Sequence, residues 1–262
     1  MDTENDAIRK EVRDHYGQLS REGSGCCGTG GCCVANPDAS AALGYTDEQL
    51  ADAPEGANLG LGCGNPQAIA RLTPGERVLD LGSGGGFDCF LAVRQVGPTG
   101  HVIGVDMTPN MIERARGNAK KVALANVEFR LGEIEHLPVA DSEVDVVISN
   151  CVINLSPEKS AVFREAFRVL RPGGRLAISD VVALAPLTAE EKSDMTLYTG
   201  CVAGAATIDE VKAMLLDAGF ERVDIDIPAI GRATVAQWFQ DNPTAAKVAS
   251  ASIEARRPGG RQ

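Results

Sequence analysis

Apolar runs and helical patterns alternate along most of this chain. Short runs rich in Val, Ile and Leu predict strands, and the stretches between them carry apolar residues at helical spacing. The predicted strands are residues 77–81, 101–105, 127–131, 144–149 and 176–182, and the helices between them are residues 87–96, 109–121 and 157–170. The run at 144–149 is typical of a central strand in a parallel sheet. This alternation predicts an α/β fold.

The pattern is less regular at both ends of the chain. Residues 3–19 have the spacing of an amphipathic helix, and short helical pieces are predicted at 46–51 and 66–72. After the fifth strand, helices are predicted at 188–198 and 207–218, followed by two late strands at Phe220–Ile227 and Ala233–Phe239. The last twenty or so residues have the composition of a poorly ordered tail.

A glycine-rich loop joins the first strand of the alternating region to the next helix. The segment from Val78 to Asp88 places Gly82, Gly84 and Gly86 directly after a strand. Glycines serve where a loop turns tightly and lets a ligand approach the backbone, and a helix N-terminus follows here. A dinucleotide fingerprint would have glycine at position 87, where this chain has Phe87. The segment predicts a nucleotide-type cradle of another kind, or a turn that binds no ligand.

An acid at the end of the second strand supports the nucleotide interpretation. Asp106 follows the strand at 101–105 and lies 20 residues beyond Gly86. In βαβ units an acid at this distance from the glycine loop binds ribose hydroxyls. Two independent signals therefore point to a cofactor that carries a ribose.

Composition and charge narrow the class of protein. The 262 residues are 44% hydrophobic and carry a formal net charge of −11. This charge argues against a nucleic-acid partner, which favours a basic face. The polar N-terminus lacks the apolar segment of a secretory signal, and no apolar run is long enough for a membrane span. We expect a soluble, cytoplasmic protein without a membrane partner.

The eight cysteines are unevenly distributed. Cys26, Cys27, Cys32 and Cys33 lie in a Gly- and Ser-rich stretch that predicts a mobile loop, whereas Cys63, Cys89, Cys151 and Cys201 are spread out. Two interpretations of the clustered thiols are about equally supported. In one they bind a soft metal or relay thiol exchange, and in the other they are incidental residues of a flexible segment. The position of Cys63 between two glycines favours an accessible thiol. Cys89 falls in the apolar pattern of the first helix after the glycine loop, which predicts a core residue.

Four strings carry a specific resemblance: VLDLGSGGGFDCFLA, VIGVDMTPNMI, SNCVINLSPEK and TGCVAGA. In these, the chain resembles the arsenite S-adenosylmethionine methyltransferases over about residues 55–225. The resemblance implies the class I methyltransferase fold, a Rossmann-like sheet with six parallel strands, one antiparallel strand and helices on both faces. It also implies that Cys63, Cys151 and Cys201 handle arsenic, with Cys32 or Cys33 as candidates for a further thiol.

The resemblance also implies which residues bind S-adenosylmethionine. They are Asp80, Gly82, Ser83, Gly84, Gly86, Asp106, Met107, Gly132, Glu133, Ile134 and Asn150. On this basis we divide the chain into four segments. They are an N-terminal helix with a Cys- and Gly-rich loop at 1–62, the cofactor-binding domain at 63–183, substrate-side helices and last strands at 184–245, and a flexible tail at 246–262.

Arsenic chemistry suits thiols and requires no general base. Trivalent arsenic is thiophilic, and its lone pair is the nucleophile once two or three cysteine sulfurs hold it. None of His15, His101 and His136 lies at the carboxyl end of a predicted parallel strand. Expected partners are arsenite, methylated arsenicals and a thiol reductant such as thioredoxin or glutathione.

The sequence leaves three functions open. The first is an arsenite methyltransferase. The second is a methyltransferase acting on carbon or oxygen of a small metabolite, which usually needs a base or an orienting acid. The third is a non-catalytic metalloid-binding protein, against which the intact cofactor loop argues.

Overall fold

A seven-stranded sheet with helices on both faces forms the centre of this computed structural model, which describes residues 3–22, 39–238 and 242–260. Cys26, Cys27, Cys32 and Cys33 lie outside the described residues. The strands are β1 Arg77–Leu81, β2 His101–Asp106, β3 Val127–Leu131, β4 Val144–Asn150, β5 Leu170–Ala183, β6 Glu221–Asp226 and β7 Val248–Arg256.

The helices precede, connect and follow these strands. They are α1 Thr3–Glu22, α2 Ala39–Ala42, α3 Asp47–Asp52, α4 Pro66–Ala70, α5 Phe87–Val96, α6 Pro109–Lys121, α7 Lys159–Val169, α8 Ala189–Ser193, α9 Met195–Thr199, α10 Ile208–Asp217 and α11 Gly231–Trp238. Short 3₁₀ helices lie at Ile153–Leu155 and Pro243–Lys247. Among the described helices, none combines the length and the apolar composition that a bilayer crossing requires.

The strand order is β3-β2-β1-β4-β5-β7-β6, and only β7 runs antiparallel to its neighbours. This confirms the predicted sheet of six parallel strands and one antiparallel strand. The chain proceeds outward from β1 to β3 and then crosses to β4 on the other side of β1. Ligands bind at such a reversal, outside the carboxyl ends of the strands. Leu81 pairs with Ser149 there, so the segments that follow β1 and β4 emerge side by side.

Alternating residues of the central strands face two separate cores, as the period of a strand requires. Leu79 and Leu81 pack on the face that α7 and α10 cover, whereas Val78 packs on the face of α4, α5 and α6. Cys89 lies in this second core and has no exposed surface. The prediction that it is a core residue is confirmed.

The last part of the chain differs from the sequence prediction. The predicted strand at Ala233–Phe239 is wrong, because α11 occupies Gly231–Trp238. The flexible tail predicted at 246–262 is also wrong over most of its length, because Val248–Arg256 is strand β7, inserted between β5 and β6. Its inward positions are mainly alanines, so the alternation that marks a strand is weak in the sequence.

Boundaries of other elements also shift. The helix predicted at 188–198 is divided into α8 and α9, because Asp194 ends the first and caps the second through the amides of Thr196 and Leu197. Strand β5 begins at Leu170, six residues earlier than predicted, and α7 begins at Lys159 instead of Pro157.

Candidate active site

A cleft opens at the carboxyl ends of β1, β2 and β4. Most of the predicted cofactor residues line it: Asp80, Gly82, Ser83, Gly84, Asp106, Met107, Ile134 and Asn150. Gly86, Gly132 and Glu133 are not among the lining residues. The cleft lies where a doubly wound sheet binds its ligand, and we call it the cofactor cleft.

Different structural constraints apply at the three glycines of the loop. Gly82, Gly84 and Gly86 all have positive φ, at 67°, 50° and 91°. A Cβ at Gly82 would lie 2.4 Å from the side chain of Val152, and one at Gly86 would lie 2.7 Å from Phe90. A Cβ at Gly84 would meet no atom within 4 Å. Gly86 is therefore a packing position, whereas Gly84 leaves its backbone open towards the cleft.

Asp106 connects the glycine loop to the end of β2. Its carboxylate accepts hydrogen bonds from the amides of Gly84, at 3.0 Å, and Thr108, at 2.8 Å. Burial raises the pKa of this carboxyl, and the two amides lower it. A carboxylate has about four acceptor positions, so two remain for hydroxyl donors of a ligand.

The hydroxyl of Ser83, another lining residue, provides a second indication of a ligand. Its oxygen is buried and has no hydrogen-bond partner within the described ranges. Buried polar groups are normally paired, so a bound polar molecule would satisfy it. With the open backbone at Gly84, these residues fit a nucleoside cofactor.

A buried polar network beside the cleft was not predicted from the sequence. The hydroxyl of Tyr45 donates to Asp88 at 2.8 Å, and the amide of Asn150 lies 3.2 Å from the other oxygen of Asp88. The same amide donates to the carbonyl of Gly64 at 2.9 Å. Asn150 was predicted to bind cofactor, but its hydrogen bonds mainly join neighbouring parts of the protein. In the sequence, Asp88 was noted only as the last residue of the glycine-rich segment, and no role was predicted for it.

Helix α1 covers one side of the cofactor cleft, which the sequence also did not predict. Arg9, Val12 and Tyr16 of this helix line the cleft. The guanidinium of Arg9 donates to buried Glu135 at 3.3 Å and to Glu158. Both partners lie more than a hundred residues away, so no local pattern indicated the contact.

The structure brings Cys63, Cys151 and Cys201 together from three separate segments into one apolar cluster. We call these residues the thiol cluster. The Cys201 thiol donates to the carbonyl oxygen of Cys151 at 3.0 Å. The Cys63 and Cys151 sulfurs lie within 4.8 Å of each other and of a carboxylate oxygen of Asp180. Cys151 also lines the cofactor cleft, so it connects the cleft with the thiol cluster.

All three thiols are buried, which corrects the prediction of an accessible Cys63. Their exposed fractions are 1%, 5% and 3% for Cys63, Cys151 and Cys201. Cys63 is held from both sides of its backbone: its amide donates to Asn150 at 3.0 Å, and its carbonyl accepts from Ser250 of β7 at 2.7 Å. These distant partners bury a glycine-rich turn that local sequence would leave open.

Cys151 and Cys201 both adopt the left-handed backbone conformation, with φ of 59° and 63°. For a residue with a Cβ this conformation costs roughly 1–2 kcal/mol. Such strained residues concentrate at functional sites, where the surrounding structure holds them. The backbone amide of Cys151 donates to Ser179 of β5 at 2.8 Å, which anchors this turn directly after β4.

The surroundings of Cys63 and Cys151 raise the pKa of both thiols. Hydrogen bonding with the Cys201 and Cys63 thiols, together with burial, raises the pKa of Cys151 well above its ordinary value. Burial raises the pKa of Cys63. Burial also raises the pKa of Asp180 to about 6, although three hydrogen-bond donors and Lys159 oppose the shift. These shifts favour the neutral thiol at Cys63 and Cys151, whose protons a thiophilic ligand would displace.

Comparisons with known proteins identify the family of this chain. A family profile described as "Methyltransferase domain" matches residues 72–219. The chain is 53% identical to the arsenite methyltransferase of Halobacterium salinarum, over 98% of this chain and 68% of that protein. It is 39% identical to the arsenite methyltransferase of Aquipseudomonas alcaligenes, over 81% of this chain and 62% of that protein.

A solved structure shares the fold at moderate identity. An arsenic(III) S-adenosylmethionine methyltransferase from Chlamydomonas reinhardtii matches with a TM-score of 0.61 and 33% identity, over 86% of this chain and 74% of that one. The relatives and this solved structure thus point to the same family. The chain belongs to the arsenite methyltransferase family of S-adenosylmethionine-dependent methyltransferases.

Proposed function

We propose that this protein transfers methyl groups from S-adenosylmethionine to trivalent arsenic held by Cys63, Cys151 and Cys201. One observation carries the proposal: three buried thiols from distant segments form a cluster at the edge of the cofactor cleft. A methyl transfer to carbon or oxygen would leave these thiols without a role. A protein that only binds arsenic would have no use for the cleft.

Binding of arsenite to the thiol cluster requires no external base to remove the thiol protons. Arsenous acid and three thiols give a tris-thiolate and three waters, because each thiol proton joins a departing hydroxide. Soft thiolate ligands suit such a centre. The product carries no net charge, which favours its location among Val12, Leu155 and Leu197.

Asp106, Ser83 and the backbone at Gly84 would hold the nucleoside part of S-adenosylmethionine, and Met107 and Ile134 line the same cleft with apolar surface. When bound, S-adenosylmethionine supplies a methyl group already activated on a sulfonium. The protein then has to position the arsenic lone pair towards the cleft and exclude water. Positioning of this kind can supply several kcal/mol of the barrier. Contacts from Gly86, Gly132 and Glu133 remain predictions.

Cys151 occupies the position from which arsenic faces the cofactor. It is the cluster member that lines the cleft, and its carbonyl accepts the Cys201 thiol. Cys63 approaches from the other side, on the segment that Asn150 and Ser250 hold. We assign Cys151 and Cys201 to hold arsenic throughout the cycle and Cys63 to complete the three-sulfur set.

Each methyl transfer requires two electrons from thiols. The arsenic lone pair forms the new bond to carbon as the bond between carbon and the sulfonium sulfur breaks, which raises arsenic from the trivalent to the pentavalent state. A further cysteine thiolate would then attack the Cys63 sulfur, so that a disulfide forms, the bond between Cys63 and arsenic breaks, and its electron pair returns arsenic to the trivalent state. An external thiol, thioredoxin or glutathione, reduces that disulfide by exchange. Cys32 or Cys33 is a candidate partner of Cys63 in this step.

Incubation with arsenite, S-adenosylmethionine and a thiol, followed by separation of the arsenic species, tests the function. We expect methylated arsenicals, with one S-adenosylhomocysteine released for each methyl group transferred. A protein that binds S-adenosylmethionine and arsenite but forms no carbon–arsenic bond would contradict the proposal. Formation of methylated product from a carbon or oxygen acceptor alone would favour the small-metabolite alternative.

A further inference from the structure

We propose that the thiol cluster is also a binding site for a thiophilic divalent cation such as Zn²⁺ or Cd²⁺, with the carboxylate of Asp180 as a ligand beside Cys63 and Cys151. The ligand atoms of these three residues all lie within 4.8 Å of one another, and all three residues are buried. Trivalent arsenic needs three sulfurs and no carboxylate. Replacement of Asp180 should therefore affect binding of the cation but not binding of arsenite.

The spacing of the three atoms is close to that of a tetrahedral site. Zinc binds cysteine sulfur at about 2.3 Å and carboxylate oxygen at about 2.0–2.2 Å, which places neighbouring ligand atoms about 3.5–3.8 Å apart. Movements of roughly 1 Å would close the present arrangement around a cation. The Cys201 thiol donates to the carbonyl of Cys151 and is not one of these three ligand atoms.

Asp180 has an acceptor position left for such a bond. Its two oxygens accept hydrogen bonds from the amides of Ile153 and Val181 and from the side chain of Asn154. A carboxylate offers about four acceptor positions, so these three donors do not saturate it. They also hold its orientation, as supporting hydrogen bonds do for metal ligands.

The cation and arsenic differ in the ligand charge that they require. Two thiolates and one carboxylate bring three negative charges, and a divalent cation brings two positive ones. Half-buried Lys159, which interacts electrostatically with Asp180 and Cys201, supplies the remaining positive charge. An arsenic tris-thiolate is neutral already and keeps its lone pair in the fourth direction. Asp180 therefore contributes to cation binding and not to arsenic binding.

A bound cation would occupy two of the three thiols that arsenite needs. We therefore expect Cd²⁺ or Zn²⁺ and arsenite to exclude each other. This competition rests on the proposed function, whereas the cation site itself does not.

The test uses Cd²⁺ and the full-length chain with Cys26, Cys27, Cys32 and Cys33 replaced by serine, so that these thiols do not compete. Thiolate-to-cadmium absorption in the ultraviolet follows a titration of the reduced protein. We expect one cadmium per chain, with an affinity that Cys63→Ser, Cys151→Ser and Asp180→Asn each lower about tenfold or more. Cys89→Ser is the matched control, because Cys89 is also a buried thiol beside a carboxylate, 3.2 Å from Asp80, but has no second thiol in the described site.

Asp180→Asn should retain arsenite affinity, which separates a lost ligand from a damaged cluster. Far-ultraviolet circular dichroism and S-adenosylmethionine binding establish that the variant is folded. A folded Asp180→Asn protein with unchanged cadmium affinity would overturn the proposal.

X-ray absorption of the cadmium-loaded background protein gives a second test that needs no change at Asp180. We expect sulfur neighbours together with oxygen, and a shell of sulfur alone would overturn the proposal. A protein that meets the cadmium expectations but forms no methylated arsenical would contradict the proposed function and leave the cation site standing.

Discussion

Two asparagines, half-buried Asn150 and buried Asn154, form hydrogen bonds with the segments that carry the thiols. The side chain of Asn150, at the end of β4, accepts a hydrogen bond from the amide of Cys63 at 3.0 Å. The side chain of Asn154 donates to Asp180 at 3.0 Å and lies 3.4 Å from the carbonyl of Cys201. Because each amide joins segments that are far apart in the sequence, the spacing of the sulfurs depends on hydrogen bonds and not on local motif geometry.

Serine substitution should divide the thiols into two groups. We expect Cys151→Ser and Cys201→Ser to abolish methylation of both arsenite and monomethylarsenite, because the two sulfurs hold arsenic in each substrate. Cys63→Ser should abolish the first step and retain part of the second, since monomethylarsenite has only two bonds left for sulfur. Arsenic speciation with each substrate measures the effect.

The control for this series is Cys89→Ser, which changes a buried thiol outside the cluster and should retain activity. A Cys151→Ser protein that still methylates monomethylarsenite would contradict the assignment.

Asp106→Ala should weaken S-adenosylmethionine binding by about 1–3 kcal/mol, the usual cost of leaving buried hydrogen-bonding groups unpaired. The substitution also frees the amides of Gly84 and Thr108, which the carboxylate now binds. Calorimetry measures the affinity. The matched control is Asp226→Ala, which removes an exposed acid from the end of another parallel strand, β6. Equal affinities for the two variants would refute the role of Asp106.

At the scale of elements, β7 has a larger part than its sequence indicates. It pairs with β5 along its whole length, from the pair of Arg175 with Arg256 to the pair of Ala183 with Val248. On its other side it pairs with β6. Ser250 of this strand also donates to the carbonyl of Cys63. Strand β7 therefore completes the sheet and fixes one cysteine of the cluster.

Ile253→Ala should lower the free energy of unfolding by about 2–5 kcal/mol, as for other large-to-small changes in a core. Ile253 is buried against the core that contains Ile178 and Phe220. Denaturant unfolding measures the loss. Arg256→Ala, at the exposed end of the same strand, should change stability by less than about 0.5 kcal/mol. A loss equally small for Ile253→Ala would show that β7 is not part of the cooperative fold.

At the scale of the whole molecule, α1 contacts both functional regions. Val12 packs in the apolar cluster with the three cysteines, and it lines the cofactor cleft with Arg9 and Tyr16. The hydroxyl of Tyr16 donates to the carbonyl of Thr199, two residues before Cys201. A change in the position of α1 would therefore affect the cofactor cleft and the thiol cluster together.

Arg9→Met should loosen α1 and weaken binding at both sites, because it removes the contacts with Glu135 and Glu158. A loss of 1.4 kcal/mol would raise the Kd for S-adenosylmethionine about tenfold. Hydrogen exchange of α1 and calorimetry with each ligand measure the effect. Lys10→Met is the matched control, since Lys10 pairs with Asp14 on the exposed face of α1. Tight cofactor binding and unchanged exchange in Arg9→Met would exclude this role of α1.

Local sequence determined most of the strands and helices of this protein. Strands β1 to β4 and helices α5 and α6 agree with their predicted ranges to within a residue, because periodicity and glycine or proline boundaries are properties of neighbouring residues. The glycine loop, Asp106 and the three cysteines were likewise identified from motifs. The one late strand that the pattern indicated correctly, β6, has alternating side chains of ordinary size.

Only the tertiary structure decided which of these residues meet and how deeply they are buried. Cys63 lies in a turn that local sequence leaves open, yet contacts from Asn150 and from Ser250, 187 residues away, bury it. Asp180 lies inside a predicted strand, and its distance from the sulfurs follows from the order of β4 and β5 in the sheet. Hydrogen bonds and packing between distant segments carry no periodic signal, so the arrangement of the thiol cluster could not be obtained from the sequence alone.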